Sequence, residues 1–260
     1  MSRRRSEILA EMGLAPVWRL RTRASGPAMP SEPEKHATRT PGAPPLSTRR
    51  TRGTAGPAAA TPAIVVDARE EQIRRMDWTT LKAKVAGCTD CRLRATCKQT
   101  VLGVGDERAA WMLVGEAPGA EEDRLGEPFV GQAGKLLDNM LAAIGLKRGE
   151  NVYVANVLKC RPPGNRNPEA DEVARCSPYL ARQIELIDPK LVVAMGRFAA
   201  QTLLNTDATI ASLRGSVHRY AGVPLVVTYH PAYLLRNLPD KAKAWADLCL
   251  AASLMPAPEA

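Results

Sequence analysis

Four cysteines give the first chemical signal. Cys88 and Cys91 form a C-x2-C pair in "GCTDCRLRATC", and Cys160 and Cys176 bracket "CRPPGNRNPEADEVARC" with fifteen residues between them. Four thiolates can hold either a structural zinc ion or an iron–sulfur cluster. The spacing leans toward the cluster, because zinc ribbons repeat a tight C-x2-C knuckle and the second pair here is split. The plainer alternative is that Cys160 and Cys176 are unrelated thiols. Cys97 is a spare beside the first pair, and Cys249, inside the apolar pattern "WADLCLAASL", reads as a small buried core residue. Two nucleotide motifs are missing. "GQAGKLL" has Phe129 where a P-loop needs its first Gly and Leu136 where it needs Ser or Thr, and no G-x-G-x-x-G follows an apolar run.

The elements that must position these groups are legible as apolar runs. "AWMLVGEAPG", "NVYVANVLKC", "KLVVAMGRFA" and "VPLVVTYHPAY" each read as a buried strand that stops at a polar or Gly/Pro-rich loop. Between them lie helical spacings, such as "AGKLLDNMLAAIGL", in which Leu136, Leu137, Met140, Leu141 and Ile144 share a face and Gly145 closes the helix. Strands alternating with helices predict an α/β domain with a largely parallel sheet and helices on both faces. Ligands bind such sheets beyond the carboxyl ends of the strands. That rule selects four loops: 115–123, 156–167, 196–199 and 230–236.

Composition sets the surroundings. The 260 residues are 45% apolar, enough for a sizeable core. No run reaches the roughly 18 apolar residues of a membrane span, and "MSRRRSEILAEMG" has no apolar stretch of the secretory kind. A cytoplasmic protein is expected, with its six cysteines reduced or bound to metal rather than in disulfides. Residues 1–70 carry twelve Lys/Arg against six Asp/Glu, so six of the +9 net charge sit there. The segment 25–61 is Pro, Ala, Gly, Ser and Thr with scattered Arg, too poor in large apolar groups to offset the entropy of ordering. Residues 1–71 therefore read as a basic, mostly disordered extension with one short helix at 5–13, and 72–260 as the folded domain. The extension would meet DNA through counterion release or dock a protein partner, or have no role beyond solubility.

Several motifs agree in order and separation with one family. "GEAPGAEEDRLGEPFVGQAGKLLDNML", "NVLKCRPPGNRNP", the spacing C-x2-C-x68-C-x15-C and "TYHPAYLLR" together resemble the family 4, iron–sulfur-containing uracil-DNA glycosylases of bacteria and archaea. The resemblance covers nearly all of residues 78–250 and none of the extension. It implies a single domain with a four-stranded parallel sheet flanked by helices. It implies a structural [4Fe-4S] cluster held by Cys88, Cys91, Cys160 and Cys176, and removal of uracil from DNA in base excision repair; a monomer is the default because the mechanism needs only one site, and a cytoplasmic, nucleoid-associated bacterial location is expected.

The resemblance also implies roles for single residues. His230 would donate to uracil O2, and Glu116 would position the attacking water and stabilise the sugar cation. Phe129 would stack on the flipped base, and Asn156 would read its N3–H and O4 edge. Gly115 and Ala117 would offer backbone N–H groups, and Glu122 would exclude the 5-methyl of thymine, with Glu121 and Asp123 as neighbours that could do the same. A wedge of Ala232, Tyr233, Leu234 and Leu235 would fill the hole left in the duplex, with one of the two leucines kept by the core, while Arg236 meets a phosphate. Lys159, Arg161 and Arg166 would face the DNA backbone. The competing class is a non-catalytic four-cysteine DNA-binding module, which would not need a base-sized pocket; an iron–sulfur electron carrier lacks any accompanying cofactor signal.

Overall fold

The computed structural model describes residues 68–255. The basic extension and the helix expected at 5–13 lie outside the described residues, except at the boundary. Helix α1 (Ala68–Arg74) begins four positions before the expected domain start at 72, and its Ile73 is fully buried. It packs with Leu81 and Val85 of α2 (Trp78–Ala86) against Tyr179.

The sheet has six strands in the order β1-β3-β2-β4-β6-β5. The four expected strands, β2 (Trp111–Gly115), β3 (Val152–Asn156), β4 (Leu191–Met195) and β6 (Val223–Thr228), run parallel. Two short strands that the sequence did not signal pair antiparallel at the edges: β1 (Val104–Gly105) on β3 and β5 (Val217–Tyr220) on β6. They escape notice because β1 has two residues and β5, "VHRY", alternates exposed and half-buried instead of forming an apolar run.

Every residue of β2, β3 and β4 is buried, as expected for strands covered on both faces. Alternate side chains leave the pleat on opposite sides. Met112, Val114, Val192 and Ala194 meet α5 (Ala170–Ile187) and α6 (Arg197–Leu204). Trp111, Leu113, Leu191 and Val193 meet α4 (Gln132–Ala143) and α9 (Lys241–Ser253). The predicted stripe on α4 serves two clusters: Leu137 and Leu141 face the sheet, whereas Leu136 and Met140 reach Tyr229 and Leu234. Cys249 corrects an expectation: α9 turns it to solvent, while Ala244, Leu248 and Ala251 take the buried positions.

The strand order decides where the site must be. The chain leaves central β2 for β3 on one side, then crosses back to β4 and β6 on the other. The switch in direction falls between β2 and β4, where no helix can cover the carboxyl ends. Glu116 follows β2 directly, and Gly196 follows β4.

Candidate active site

One cavity of about 740 Å³ opens at that switch point. All four loops selected from the sequence line it: Glu116 to Gly119 with Glu122, Asn156 with Pro162 and Asn165 to Asn167, Gly196 to Phe198, and Tyr229 with His230, Ala232, Tyr233 and Arg236. Phe129 closes it from the turn before α4.

Asn156 is the last residue of β3 and pairs in register with Gly115 of β2. Its Oδ1 is buried with no hydrogen-bond partner. A buried amide oxygen left unpaired costs about 1–3 kcal/mol, so its presence at a pocket wall points to a ligand donor. The neighbouring glycine makes the arrangement possible. A Cβ on Gly115 would stand 2.4 Å from Asn156 Oδ1 and 2.6 Å from Phe129 Cζ.

Phe129 sits in the turn between Gly126 and Gly131. It is buried, has φ +57°, and lies with its ring 5.3 Å from that of His230. A non-Gly residue in the left-handed region is strained, and its neighbours hold it there. Arg148 donates to the carbonyls of Pro128 and Phe129 at 2.8 and 3.0 Å. Gly134 lets the turn press on α4, since a Cβ there would overlap the Phe129 carbonyl at 1.7 Å. Arg148 was missed from the sequence, because nothing local marks a surface-type arginine as a brace.

Glu122 belongs to the same construction. Its carboxylate accepts from the backbone of Gly119 at 3.1 Å, Val130 at 3.0 Å and Gly131 at 3.3 Å, tying the "GEAPG" loop to the Phe129 turn. Of its neighbours, Glu121 pairs with Arg124 at the surface and Asp123 is buried, accepting from the amide of Lys98. Glu122 is thus the acidic residue of the three that lines the pocket.

His230 caps α8 (Pro231–Leu234), with the Ala232 N–H donating to its Nδ1 at 3.1 Å. That bond places the ring proton on Nε2. Desolvation pushes the imidazole down to about 4, with Glu122 opposing and Arg236 reinforcing the shift, so His230 is neutral at physiological pH. Glu116 moves the other way: desolvation raises its carboxyl to about 7, against the opposing charge of Arg197. Two titratable groups in one pocket with shifts of opposite sign is a pattern of acid–base sites. Behind His230, the Arg214 guanidinium lies 4.4 Å from the Tyr229 ring centre and pairs with buried Asp247 at 2.7 Å.

Of the residues expected to face DNA, Lys159 and Leu234 are placed in the core, and three others are held by neighbours. Lys159 is buried, its Nζ donating to the Asn156 carbonyl at 2.8 Å and to Gln183 Oε1 at 2.6 Å. Arg166 lines the pocket, but its guanidinium is engaged by Glu172 at 2.6 and 2.9 Å. Leu234 is in the core with Tyr229 and Ala244, whereas Leu235 is 42% exposed. Tyr233 stacks on Tyr229 at 5.0 Å and donates to Asp240 at 2.7 Å, so its ring is held in place. Arg161 donates to Asn165 within its own loop.

The four cysteines line a second, separate space, with Lys159, Tyr179 and Asp90 around it. Among the described residues, no group of three or more His, Cys, Asp or Glu forms a single-ion site; the thiols surround a space instead of converging. The Lys159 amide donates to Cys176 Sγ at 3.2 Å, and the Tyr179 hydroxyl lies 3.6 Å from Cys88 Sγ. Burial pushes the Cys176 thiol up to about 11 and raises Cys91 and Cys160 as well. Four thiols lining one space are the donor set that a four-cysteine cluster takes.

Fold and pocket together define an α/β protein with one open cavity at the switch point of its parallel sheet. The family model described as the uracil DNA glycosylase superfamily matches residues 102–249. The chain is 49% identical over 160 residues to the Type-4 uracil-DNA glycosylase of Archaeoglobus fulgidus, covering 58% of this chain and 80% of that one. The corresponding protein of Pyrobaculum aerophilum is 40% identical over 183 residues, 67% of this chain and 93% of its own. That of Thermotoga maritima is 42% identical over 156 residues, 59% of this chain and 81% of its own. The chain belongs to the type-4 uracil-DNA glycosylase family.

Proposed function

We propose that this protein flips uracil out of DNA and hydrolyses its N1–C1′ bond, leaving an abasic site for base excision repair. The observation that carries the reading is the unpaired Oδ1 of Asn156, buried in a pocket it shares with Phe129 and a neutral His230. A base must leave the stack to be cleaved. Uracil then offers N3–H to that oxygen and O4 to the amide nitrogen; cytosine presents the opposite polarity. Phe129 supplies a face for the ring. Glu122, by tying both loops, fixes the wall that a 5-methyl group would strike.

When the bond breaks, its electron pair stays on N1 and the charge spreads to O2. His230 donates from Nε2 to that oxygen, a fixed dipole aimed at developing charge. Glu116, as carboxylate, stabilises the cationic sugar and receives a proton from the water that adds to C1′. Arg236 and Arg161 meet the DNA backbone, and Leu235 with Ala232 fills the vacated stack; Leu234 is excluded by its burial. Cys88, Cys91, Cys160 and Cys176 would hold a [4Fe-4S] cluster, whose contribution when bound is to fasten the 160–176 loop to the 88–91 loop.

Alkali-revealed cleavage of matched oligonucleotides carrying one uracil or one thymine, with wild type and His230→Ala side by side, tests the reading. Cleavage at uracil alone, lost in the variant, is expected. Binding without cleavage of either by cluster-loaded protein would favour a non-catalytic DNA-binding module.

A further inference from the structure

The His230 ring is aimed by its backbone. Among the described residues its only side-chain hydrogen bond is with the Ala232 N–H of its own turn, and it stacks on Phe129. Strand β6 ends at Thr228, so Tyr229 and His230 run on past the last strand pairing. The direction of that stretch depends on what holds Tyr229.

Two groups lie against the buried Tyr229 ring. The Tyr233 ring is 5.0 Å away and inclined by 17°, and the Arg214 guanidinium is 4.4 Å from the ring centre. Tyr233 belongs to the His230 turn: its N–H donates to the His230 carbonyl at 2.9 Å and its hydroxyl to Asp240 at 2.7 Å. Arg214 comes from elsewhere. It follows α7 (Ile210–Leu213) directly and reaches α9, donating to Asp247 Oδ2 at 2.7 Å and to the Lys243 carbonyl at 2.6 Å. The ion pair is enclosed, its side chains 12% and 2% exposed.

Stability gives no reason for these charges, because apolar residues of similar volume can often replace a buried ion pair without loss. Geometry does. A planar guanidinium can lie on a ring while its edge donates to two acceptors, whereas lysine offers a point charge on a flexible stem.

We propose that Arg214 is a positioning residue for uracil excision: anchored to α9, it fixes the Tyr229–Tyr233 stack and so the direction in which His230 points. Arg214 itself is not among the residues that line the cavity. The proposal rests on the uracil-excision reading, in which His230 donates to O2. A displacement of about 1 Å at such a donor can cost about a hundredfold in rate.

The test uses the full chain, cluster-loaded, on a single-stranded oligonucleotide carrying one uracil. Arg214→Met combined with Asp247→Leu removes both charges, so neither is stranded, and the protein should melt close to wild type. Its kcat should nonetheless fall at least about tenfold, with KM changing less than about twofold. Arg214→Lys keeps Asp247 paired but cannot cover the ring, so its kcat should fall as well; it decides alone if the double variant does not fold. The chain has three histidines, so the His230 ring signal is assignable by NMR, and it should move in both variants as the ring shifts against Phe129. Ile184→Ala, a core truncation on α5, should lower the melting temperature while leaving that signal and kcat of the folded protein unchanged. Wild-type kcat in the folded Arg214 variants, or an unmoved His230 signal, overturns the positioning role. Wild type that excises no uracil removes both readings, whereas excision by wild type that the variants match removes only the role of Arg214.

Discussion

At the scale of single residues, the pocket works through groups whose environments oppose their ordinary chemistry. Glu116 titrates at about 7, and below that pH it is neutral and cannot stabilise a cation. kcat/KM for uracil excision should therefore climb about tenfold per pH unit up to pH 7 and then level. In Glu116→Gln that limb should disappear and turnover fall by about 10² to 10³ while DNA binding changes little; equal losses in both would remove Glu116 from its role. Folding has a matching pH signature. Because the folded pKa is raised from 4.5 to about 7, the native state holds a proton that the unfolded chain releases, and stability falls as pH rises through that window. Glu116→Gln should thus melt higher than wild type at pH 8 and close to it at pH 4. Gly115→Ala is the steric counterpart. Its Cβ would displace Asn156 or Phe129, so excision should drop steeply while the circular dichroism spectrum stays native.

At the scale of elements, the end of α8 separates a packed side chain from an exposed one within two adjacent residues. Leu234 faces Tyr229 and Ala244, and Leu235 faces solvent. Leu234→Ala should cost about 2–5 kcal/mol of stability, since it opens a cavity. Leu235→Ala should stay within about 0.5 kcal/mol yet weaken excision from duplex more than from single-stranded substrate. Denaturant unfolding beside paired activity assays checks both. The same division explains Lys159. A lysine between a strand end and a cysteine looks like a surface cation, but β3 carries it inward, where it ties the Asn156 carbonyl to Gln183 on α5. Lys159→Met would strand those acceptors at a cost of about 1–3 kcal/mol and loosen the strand end that carries Asn156.

At the scale of the molecule, two remote segments meet around one space. Cys88 and Cys91 precede the sheet, Cys160 follows β3, and Cys176 lies on α5, yet all four line the same cavity. Beside it, Glu172 receives Arg92 from the first loop and Arg166 from the second. A metal centre there would hold the loop that forms one wall of the uracil pocket. Cys176→Ala should lose the visible absorbance of the cluster, melt lower, and lose excision even at temperatures where it remains folded. A cluster-free variant that is folded and fully active would remove the stapling role.

The sequence by itself determined the four central strands, the loops at their carboxyl ends and most of the pocket. Buried parallel strands are continuous apolar runs, and glycine, proline and the candidate site residues sit where those runs stop. It also determined the cysteine spacing and the family. Tertiary structure alone decided partner and direction: that Leu234 turns inward and Cys249 outward, that Lys159 is buried, that Arg166 spends its charge on Glu172, and that Arg148 braces Phe129. It also brought Arg197 beside Glu116 and added two edge strands. Local patterns report whether a side chain is apolar and where a chain must bend. Which carboxylate an arginine meets, or which face a leucine takes on a one-turn helix, depends on residues far away in sequence that only the folded chain brings near.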